Sequence, residues 1–400
     1  MEVIDGGVTA SEGFFASGIS CGIKKNGKKD LALVCSEDIA AAAGVFTTNI
    51  VKGHSLQVTM EHIINGYATA IIINSGNANA CVGKQGYQDA KEITEIASQF
   101  LECTPSNILL GSTGVIGVPL DMDVIRPAIE QLVSEMSPDG GHDAAEAIMT
   151  TDTFCKEKAV SFKIQGKPVI VGGMAKGSGM IHPKMATLIG IITTDVNISR
   201  GLLNKALKEI VNRTFNRVSI DGETSVCDMV VIMANGMADN PPIINEDNDY
   251  KKFKDALNFV CGELAKMIAR DGEGATKFIE VNVLGAASEN DAYNIASAIA
   301  KSPLVKTALF GEDANWGRII NAAGYSGATF NPEKVDIYIG NLLVCKNGSA
   351  AAFDEEQAKA ILQQKEIAIT LKLKDGNFSD KMWTCDLSYD YVKINGSYRS

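Results

Sequence analysis

The chain has 400 residues, of which 46% are hydrophobic and 21% are charged. This composition is typical of a globular protein, and the length predicts two or three packed units with a large buried core. The formal net charge of -11 at pH 7 argues against binding to nucleic-acid phosphates or to anionic lipid surfaces.

Short apolar runs bounded by Gly, Asn and Asp predict buried strands in the first half of the chain. These runs are Leu31–Cys35, Ala68–Asn74, Ile108–Leu110, Val169–Gly172 and Leu188–Thr193. Longer amphipathic patterns predict helices between them. These patterns are Gln88–Leu101, Asp121–Met136 and Leu202–Phe215, the last with Ser199 as its candidate N-cap.

A polar segment with two prolines, Asn240–Asp249, is the best candidate for an internal boundary. It divides a catalytic unit of about residues 1–240 from a C-terminal α/β portion of 241–400. Helices and strands continue beyond it, at Tyr250–Arg270, Phe278–Leu284, Asp291–Ala300, Lys334–Ile339, Glu355–Gln364 and Glu366–Leu373. The two element types do not alternate regularly, which predicts an α+β fold and not a Rossmann sheet.

The nine cysteines are scattered and form neither a CxxC pair nor a zinc-type Cys–His cluster, so we expect reduced thiols, a cytoplasmic protein and no metal. The first residues carry Glu2 and Asp5 and lack the apolar segment of a signal peptide. The basic segment Lys24–Lys29 is interrupted by Asn and Gly, which is typical of a solvated hairpin tip.

Glycine is dense ahead of the small-residue step Ala186–Thr187, and a strand pattern follows directly. A flexible loop that enters a rigid strand is a suitable position for a nucleophile. Thr187 would need a base, and its own α-amine can act as one if the Ala186–Thr187 bond is cleaved. The hydroxyl itself can cleave that bond through an N-to-O acyl shift and hydrolysis of the ester. A plain β-branched strand residue is the alternative.

The segment Gly111–Gly117 (GSTGVIG) follows a predicted strand and is therefore expected to form a glycine-rich turn. Backbone N–H groups in such turns can stabilise an oxyanion. A phosphate-binding loop is a competing use, but the GxxxxGK[ST] pattern is absent. An ordinary turn remains a further alternative.

Nine segments, in the same order, resemble those of the ornithine acetyltransferases, also known as bifunctional glutamate N-acetyltransferases of arginine biosynthesis. The segment Lys176–Asp195 (KGSGMIHPKMATLIGIITTD) resembles their cleavage site. The others are Gly6–Lys24, Asn74–Cys81, Gly111–Gly117, Met149–Thr153, Ser219–Val230, Arg270–Val281, Ser302–Ile319 and Tyr391–Ser400.

This resemblance implies an αββα sandwich like that of N-terminal-nucleophile hydrolases, with a smaller C-terminal α/β portion. It implies self-cleavage into an α chain (1–186) and a β chain (187–400) that assemble as an α2β2 heterotetramer. It also implies transfer of an acetyl group from N2-acetyl-L-ornithine to L-glutamate through an ester on Thr187. No bound cofactor is expected, and whether acetyl-CoA is a further donor stays open.

The resemblance also assigns the site residues. Thr187 is the nucleophile, and Thr113 and Gly114 form the oxyanion hole. The substrate-binding residues are Thr150 or Thr151, Lys176, Thr187, Glu273, Asn395 and Ser400. In isolation, Lys176 would be interpreted as a solvated loop lysine, Glu273 as a turn acid and His182 as a structural histidine.

One chemical difficulty accompanies this assignment. A Glu273 carboxylate suits the ammonium of ornithine but repels the side chain of glutamate, which must use the same pocket. Asn395 can donate or accept a hydrogen bond and could serve both. The alternatives are an aminopeptidase or amidase that uses the same threonine, and an uncleaved homologue with a binding or scaffold role.

Overall fold

The computed structural model describes residues 1–182 and 188–397. The predicted cleavage bond between Ala186 and Thr187, and the predicted binding residue Ser400, therefore lie outside the described residues.

The described residues form two sheets, and the larger one has nine strands. They are β1 (Glu2–Ile4), β2 (Phe14–Ile19), β3 (Leu31–Phe46), β4 (Tyr67–Asn77), β5 (Ile108–Val115), β6 (Lys156–Ile164), β7 (Lys167–Lys176), β8 (Ile189–Thr194) and β9 (Met229–Ala234). Their order is β1-β6-β7-β8-β9-β3-β4-β5, with β2 paired to β3.

The long strand β3 allows this sheet to fold over on itself. Its register with β4 shifts between Cys35 and Ala40, and such an irregularity bends a strand. The first part of β3 pairs with β2, and the second part pairs with β9. A Cβ atom at Gly111 of β5 would lie 2.6 Å from the Met229 side chain of β9. Since three strand steps separate β5 from β9 within the sheet, the two arms must pack face to face.

Alternation along the strands sorts apolar side chains into separate cores, because successive residues point to opposite faces. On β4, Ile71 and Ile73 face the interior between the two arms, whereas Ile72 faces outwards. On β9, Met229 and Val231 face the same interior, whereas Val230 faces the opposite side.

Helices cover both outer faces of this folded sheet. The α-helices in the described part of the chain are α1 (His54–His62), α2 (Gly83–Phe100), α3 (Met122–Ser134), α4 (Gly141–Ala147), α5 (Arg200–Arg213), α6 (Asn248–Arg270), α7 (Glu289–Lys301), α8 (Pro303–Phe310), α9 (Trp316–Gly324), α10 (Glu355–Leu362) and α11 (Tyr389–Ser397). Helices α2 and α3 pack on the arm with β4 and β5, and α5 and α6 pack on the arm with β7 to β9. The layers are therefore α, β, β and α.

A second, six-stranded sheet forms the smaller unit. Its strands are β10 (Phe278–Ala286), β11 (Asp336–Ile339), β12 (Leu342–Lys346), β13 (Ser349–Ala350), β14 (Glu366–Lys372) and β15 (Phe378–Cys385), in the order β13-β12-β11-β14-β10-β15. Helices α7, α8, α9 and α10 share its core. Trp383 on β15 packs into the core beneath α6, so the two units are in contact.

The predicted α+β fold with an αββα sandwich and a smaller C-terminal α/β portion is confirmed. The division near residue 240 stays a prediction. The helix that follows it, α6, packs on the larger sheet through Phe253, Leu257 and Val260. The core of the first unit therefore includes residues beyond the polar segment.

One local prediction was wrong: Gly111–Val115 continues strand β5 and is not a turn. Ser199 is the N-cap residue of α5 as predicted, although its side chain makes no capping hydrogen bond. The basic segment Lys24–Lys29 connects the antiparallel strands β2 and β3, and Lys25 and Lys28 are exposed, as predicted for a solvated hairpin tip. Within it, the Lys24 ammonium donates to the carbonyls of Lys29 and Met149, at 2.8 and 2.7 Å. Among the described residues, no helix combines the length and apolar character that crossing a membrane requires.

Candidate functional site

A cleft forms where strand ends from both arms of the larger sheet meet. Strand β7 ends at Lys176, strand β5 ends just after Gly114, and the segment before β9 lies beside them. The loop after α6 and the helix α11 close the opposite side. The described residues that line the cleft are Ala78, Thr113, Gly114, Ile116, Thr150, Thr151, Lys176, Gly179, Met180, Ser225, Val226, Cys227, Glu273 and Asn395. Every predicted site residue that the structure describes is among them.

Thr113 and Gly114 lie side by side on the wall of the cleft. Strand β5 runs parallel to β4, and Gly114 is opposite Gly76. The φ angle of Gly114 is +129°, and a Cβ atom there would lie 2.3 Å from the carbonyl carbon of Gly76. Glycine is therefore required at this position, both for its backbone conformation and for the close approach of the two strands.

Lys176 brings a buried positive charge into the cleft. The residue is only 2% exposed, so it is not the solvated loop lysine of the simplest interpretation. Its ammonium donates to the Thr150 hydroxyl at 2.7 Å and lies 3.6 Å from the Asp152 carboxylate. The Thr150 hydroxyl is thus held by Lys176, while Thr151 is also on the cleft wall. Which of the two threonines contacts substrate stays a prediction.

A buried network of charges supports Lys176 from behind. Asp152 accepts from the Lys156 ammonium at 2.7 Å and from the Gly177 backbone N–H at 2.6 Å. Burial alone would raise the pKa of Asp152, but the charges of Lys176 and Lys156 outweigh it and hold this pKa well below its ordinary value. Lys156 also pairs with Asp271 at 2.5 Å. Two ammonium groups and two carboxylates therefore balance one another.

Glu273 and Asn395 contribute the polar groups at the opposite side of the cleft. Glu273 is 8% exposed, and its backbone N–H donates to the Ser178 carbonyl at 2.9 Å. The Asn395 side-chain amide donates to Glu273 Oε2 at 2.7 Å. Asn395 lies in α11, so this part of the C-terminal segment is helical. The contact fixes the carboxylate that was predicted to bind the substrate.

The chain is anchored on both sides of the predicted cleavage bond. Upstream, the backbone N–H groups of Met180 and Ile181 donate to Asp221 at 2.6 and 2.9 Å. The His182 ring lies 3.1 Å from the Ser219 hydroxyl, in agreement with a structural histidine. Downstream, the Leu188 carbonyl accepts from Met229 N–H at 3.1 Å.

The sequence interpretation missed the segment Ser225–Asp228, which precedes β9. Ser225, Val226 and Cys227 line the cleft, and Asp228, which follows them, is completely buried. The available signal was one acid at the start of the apolar run MVVIMA. An unpaired carboxylate at the start of a buried apolar strand costs free energy, so such a residue is a candidate for a functional role.

The cleft carries a buried ammonium group and a buried carboxylate beside a wall whose backbone can closely approach a ligand. Fixed charges of both signs suit a zwitterionic ligand of amino-acid size. Across the described part of the chain, no group of His, Cys, Asp and Glu side chains has an arrangement that would hold a metal ion.

Comparisons with known proteins give the family. The model of the ArgJ family matches residues 15–400. The arginine biosynthesis bifunctional protein ArgJ of Caldanaerobacter subterraneus subsp. tengcongensis is 52% identical over 404 residues, which cover 100% of both chains. The ArgJ protein of Bacillus anthracis is 47% identical over 400 residues, covering 100% of this chain and 98% of its own.

A solved structure agrees with these matches. The crystal structure of the arginine biosynthesis bifunctional protein argJ from Bacillus halodurans is 51% identical, with a TM-score of 0.51. It covers 52% of this chain and 98% of its own chain. The chain described here belongs to the ArgJ family.

Proposed function

We propose that this protein is a self-cleaving acetyltransferase that moves the acetyl group of N2-acetyl-L-ornithine to L-glutamate through an ester on Thr187. The main support is the convergence of Thr113, Gly114, Lys176, Glu273 and Asn395 on one cleft. These residues come from distant parts of the chain. Upstream of the Ala186–Thr187 bond, Gly179 and Met180 line this cleft. Downstream of it, the Leu188 carbonyl accepts from the N–H of Met229, which follows the cleft residue Cys227 by two positions.

Self-cleavage creates the catalyst. The Thr187 hydroxyl attacks the carbonyl carbon of Ala186, the acyl group moves from nitrogen to oxygen, and water hydrolyses the ester. The new α-amine of Thr187 then serves as its base, because a terminal amine has an ordinary pKa of about 7.7–8.0 and is partly neutral at physiological pH. The Bacillus halodurans chain is about half as long as this one, which is the length expected for one product of cleavage.

Acetyl transfer then follows a ping-pong scheme. Thr187 takes the acetyl group from acetylornithine, ornithine leaves, and glutamate accepts the acetyl group. Each step passes through a tetrahedral intermediate with negative charge on the former acetyl oxygen. Thr113 and the Gly114 N–H group stabilise that charge, and one such donor contributes about 2.7–4 kcal/mol.

Both substrates share an α-carboxylate, and Lys176 is the cation that binds it. Their side chains differ in charge, and Glu273 and Asn395 lie where the side chain must go. The Glu273 carboxylate binds the ammonium of ornithine. Asn395, which already donates to Glu273, can turn its amide donor to the carboxylate of glutamate.

An aminopeptidase or amidase with the same threonine is the competing function. Membership of the ArgJ family favours the transferase. The name of the relatives includes the word bifunctional, which supports acetyl-CoA as a second donor for glutamate. We further propose that the protein is cytoplasmic and that its two chains assemble as an α2β2 heterotetramer.

Two measurements test this function. On a denaturing gel, the purified protein should give two bands that correspond to residues 1–186 and 187–400, and Thr187→Ala should give one band of 42.5 kDa. With labelled acetylornithine, the label should appear on glutamate at the same rate as ornithine is released. If acetylornithine were consumed equally fast without glutamate, the protein would be a hydrolase and the proposal would fail.

A further inference from the structure

Asp228 has a carboxyl group that the proposed function does not yet use. The residue is 0% exposed, and neither carboxyl oxygen has a hydrogen-bond partner among the described residues. Burial raises the pKa of Asp228 well above its ordinary value, and the Leu188 backbone N–H and the Lys176 charge only partly offset this effect. Burial therefore favours the neutral carboxylic acid over the carboxylate at this position. Such groups are rare, because buried polar atoms are nearly always paired.

The position of Asp228 is as informative as its burial. Strand β9 runs parallel to β8, with Met229 opposite Ile189, and the Met229 N–H donates to the Leu188 carbonyl. Asp228 therefore lies beside Leu188, whose backbone N–H faces the carboxyl group closely enough to lower its pKa. Leu188 directly follows Thr187 in the chain.

The first step of self-cleavage needs a group of this kind. The Thr187 hydroxyl must lose a proton as it attacks, and the amide nitrogen must gain one as it leaves. A neutral carboxylic acid can do both, because one oxygen accepts a proton while the other donates its own. A carboxylate has no proton to donate, so a buried position that favours the neutral carboxyl group suits this role.

We propose that Asp228 is the proton shuttle of self-cleavage, a role that rests on the proposed function. One carboxyl oxygen takes the proton of the Thr187 hydroxyl as its oxygen bonds to the Ala186 carbonyl carbon. The other oxygen gives its proton to the amide nitrogen as the C–N bond breaks, and Asp228 returns to its initial state. Water then hydrolyses the ester, which frees the hydroxyl and the Ala186 carboxylate, and the released proton goes to the new amine.

The substitution Asp228→Asn tests this role, because it keeps the size and neutrality of the side chain and removes its acidic proton. Full-length protein is made by cell-free synthesis with a pulse of label, and conversion to two chains is followed on a denaturing gel. We expect cleavage to slow by at least about 100-fold, the lower end of what general acid–base catalysis contributes. Cleavage at the wild-type rate would overturn the proposal.

Asp195→Asn is the matched control. Asp195 is also buried in the larger sheet, but its carboxyl group accepts from the backbone N–H groups of Ile170 and Glu12, at 2.8 and 3.2 Å. Asp195→Asn shows how far the removal of any buried carboxyl group slows cleavage. We expect this variant to cleave at the wild-type rate. Equal slowing of both variants would assign the effect of Asp228→Asn to weakened packing and overturn the shuttle.

Hydroxylamine separates the two chemical steps, because it attacks esters but not amides. If Asp228 acts in the acyl shift, cleavage of Asp228→Asn stays slow when hydroxylamine is added. Cleavage restored by hydroxylamine would place the defect in ester hydrolysis and contradict the proposal.

A measurement on the wild-type chain avoids any folding defect. Its cleavage should be slower in D2O than in H2O, and equal rates would refute a proton shuttle. If the wild-type chain fails to cleave, or if Thr187→Ala cleaves, the proposed function itself fails.

Discussion

The substitution Glu273→Gln removes one negative charge from the cleft and leaves its shape almost unchanged. The side chain has little freedom to reorient, because a Cβ atom at Gly179 would lie 2.3 Å from the Glu273 carboxyl group. A glutamine oxygen can still accept from Asn395, which donates at 2.7 Å in the wild-type protein. The backbone bond from Glu273 to Ser178 is unaffected.

The expected magnitude follows from the change in hydrogen-bond type. A bond to a charged partner contributes about 1.5–3 kcal/mol and a neutral one about 0.5–1.5 kcal/mol. Loss of the charge therefore weakens binding of the ornithine ammonium by about 1–2 kcal/mol, which is about 5–30-fold at 1.36 kcal/mol per factor of ten. For glutamate the sign is opposite, because removal of Glu273 relieves a repulsion between two carboxylates.

The assay compares kcat/KM for the two half-reactions. For Glu273→Gln, this value should fall about 5–30-fold for acetylornithine and should rise or stay constant for glutamate. Glu223→Gln is a control, because Glu223 is a nearby but exposed acid outside the residues that line the cleft. An equal loss for both substrates, or no loss for acetylornithine, would refute the assignment of Glu273 to the ornithine side chain.

The buried charges give three further predictions. Lys176→Met should lower kcat/KM about 10–150-fold for both substrates, because a hydrogen bond to the α-carboxylate that each of them carries contributes about 1.5–3 kcal/mol. A lower kcat/KM for one substrate only would exclude Lys176 as the group that binds the α-carboxylate. Lys156→Met leaves Asp152 and Asp271 without their closest cation and should lower the free energy of unfolding by about 3–5 kcal/mol in urea titrations. A loss below about 1 kcal/mol, which is the value of a surface ion pair, would contradict this prediction. Burial raises the pKa of Asp195 from 3.8 to about 6. The folded state therefore binds more protons than the unfolded state between these values, and stability falls as the pH rises through them, by up to about 3 kcal/mol. Urea titrations of the wild type and Asp195→Asn at both ends of this window should differ in pH dependence by that amount, and parallel pH profiles would refute it.

Local patterns in the sequence were sufficient for most buried strands and long helices. Runs such as Ala68–Asn74 and Leu188–Thr193 are apolar because both faces of their strands are covered. The first lies within β4, and the second overlaps β8 from Ile189 onwards. The same reasoning failed at Gly111–Val115, where glycine indicated a turn. The glycines are there because β5 approaches Met229 and Gly76 too closely for side chains, and that proximity depends on the folding of the whole sheet.

The cleft could not be derived from local patterns, because its parts meet only through long-range packing. Glu273 follows α6, and Asn395 lies more than a hundred residues further along the chain, yet the two side chains are in contact. Family resemblance supplied these residues as a set. It did not supply Asp228. The significance of Asp228 comes from its complete burial without a hydrogen-bond partner for its carboxyl group within the described ranges, a property that no residue pattern expresses.

The central claim is that the acetyl group travels on the hydroxyl of Thr187. The most direct measurement incubates the cleaved protein with labelled N2-acetyl-L-ornithine in the absence of glutamate, followed by acid quenching, proteolysis and mass spectrometry. The label should be on the peptide that begins at Thr187, as an ester on its side chain, and it should disappear when glutamate is added before quenching. A label on any other residue, or a label that glutamate does not remove, would contradict the account.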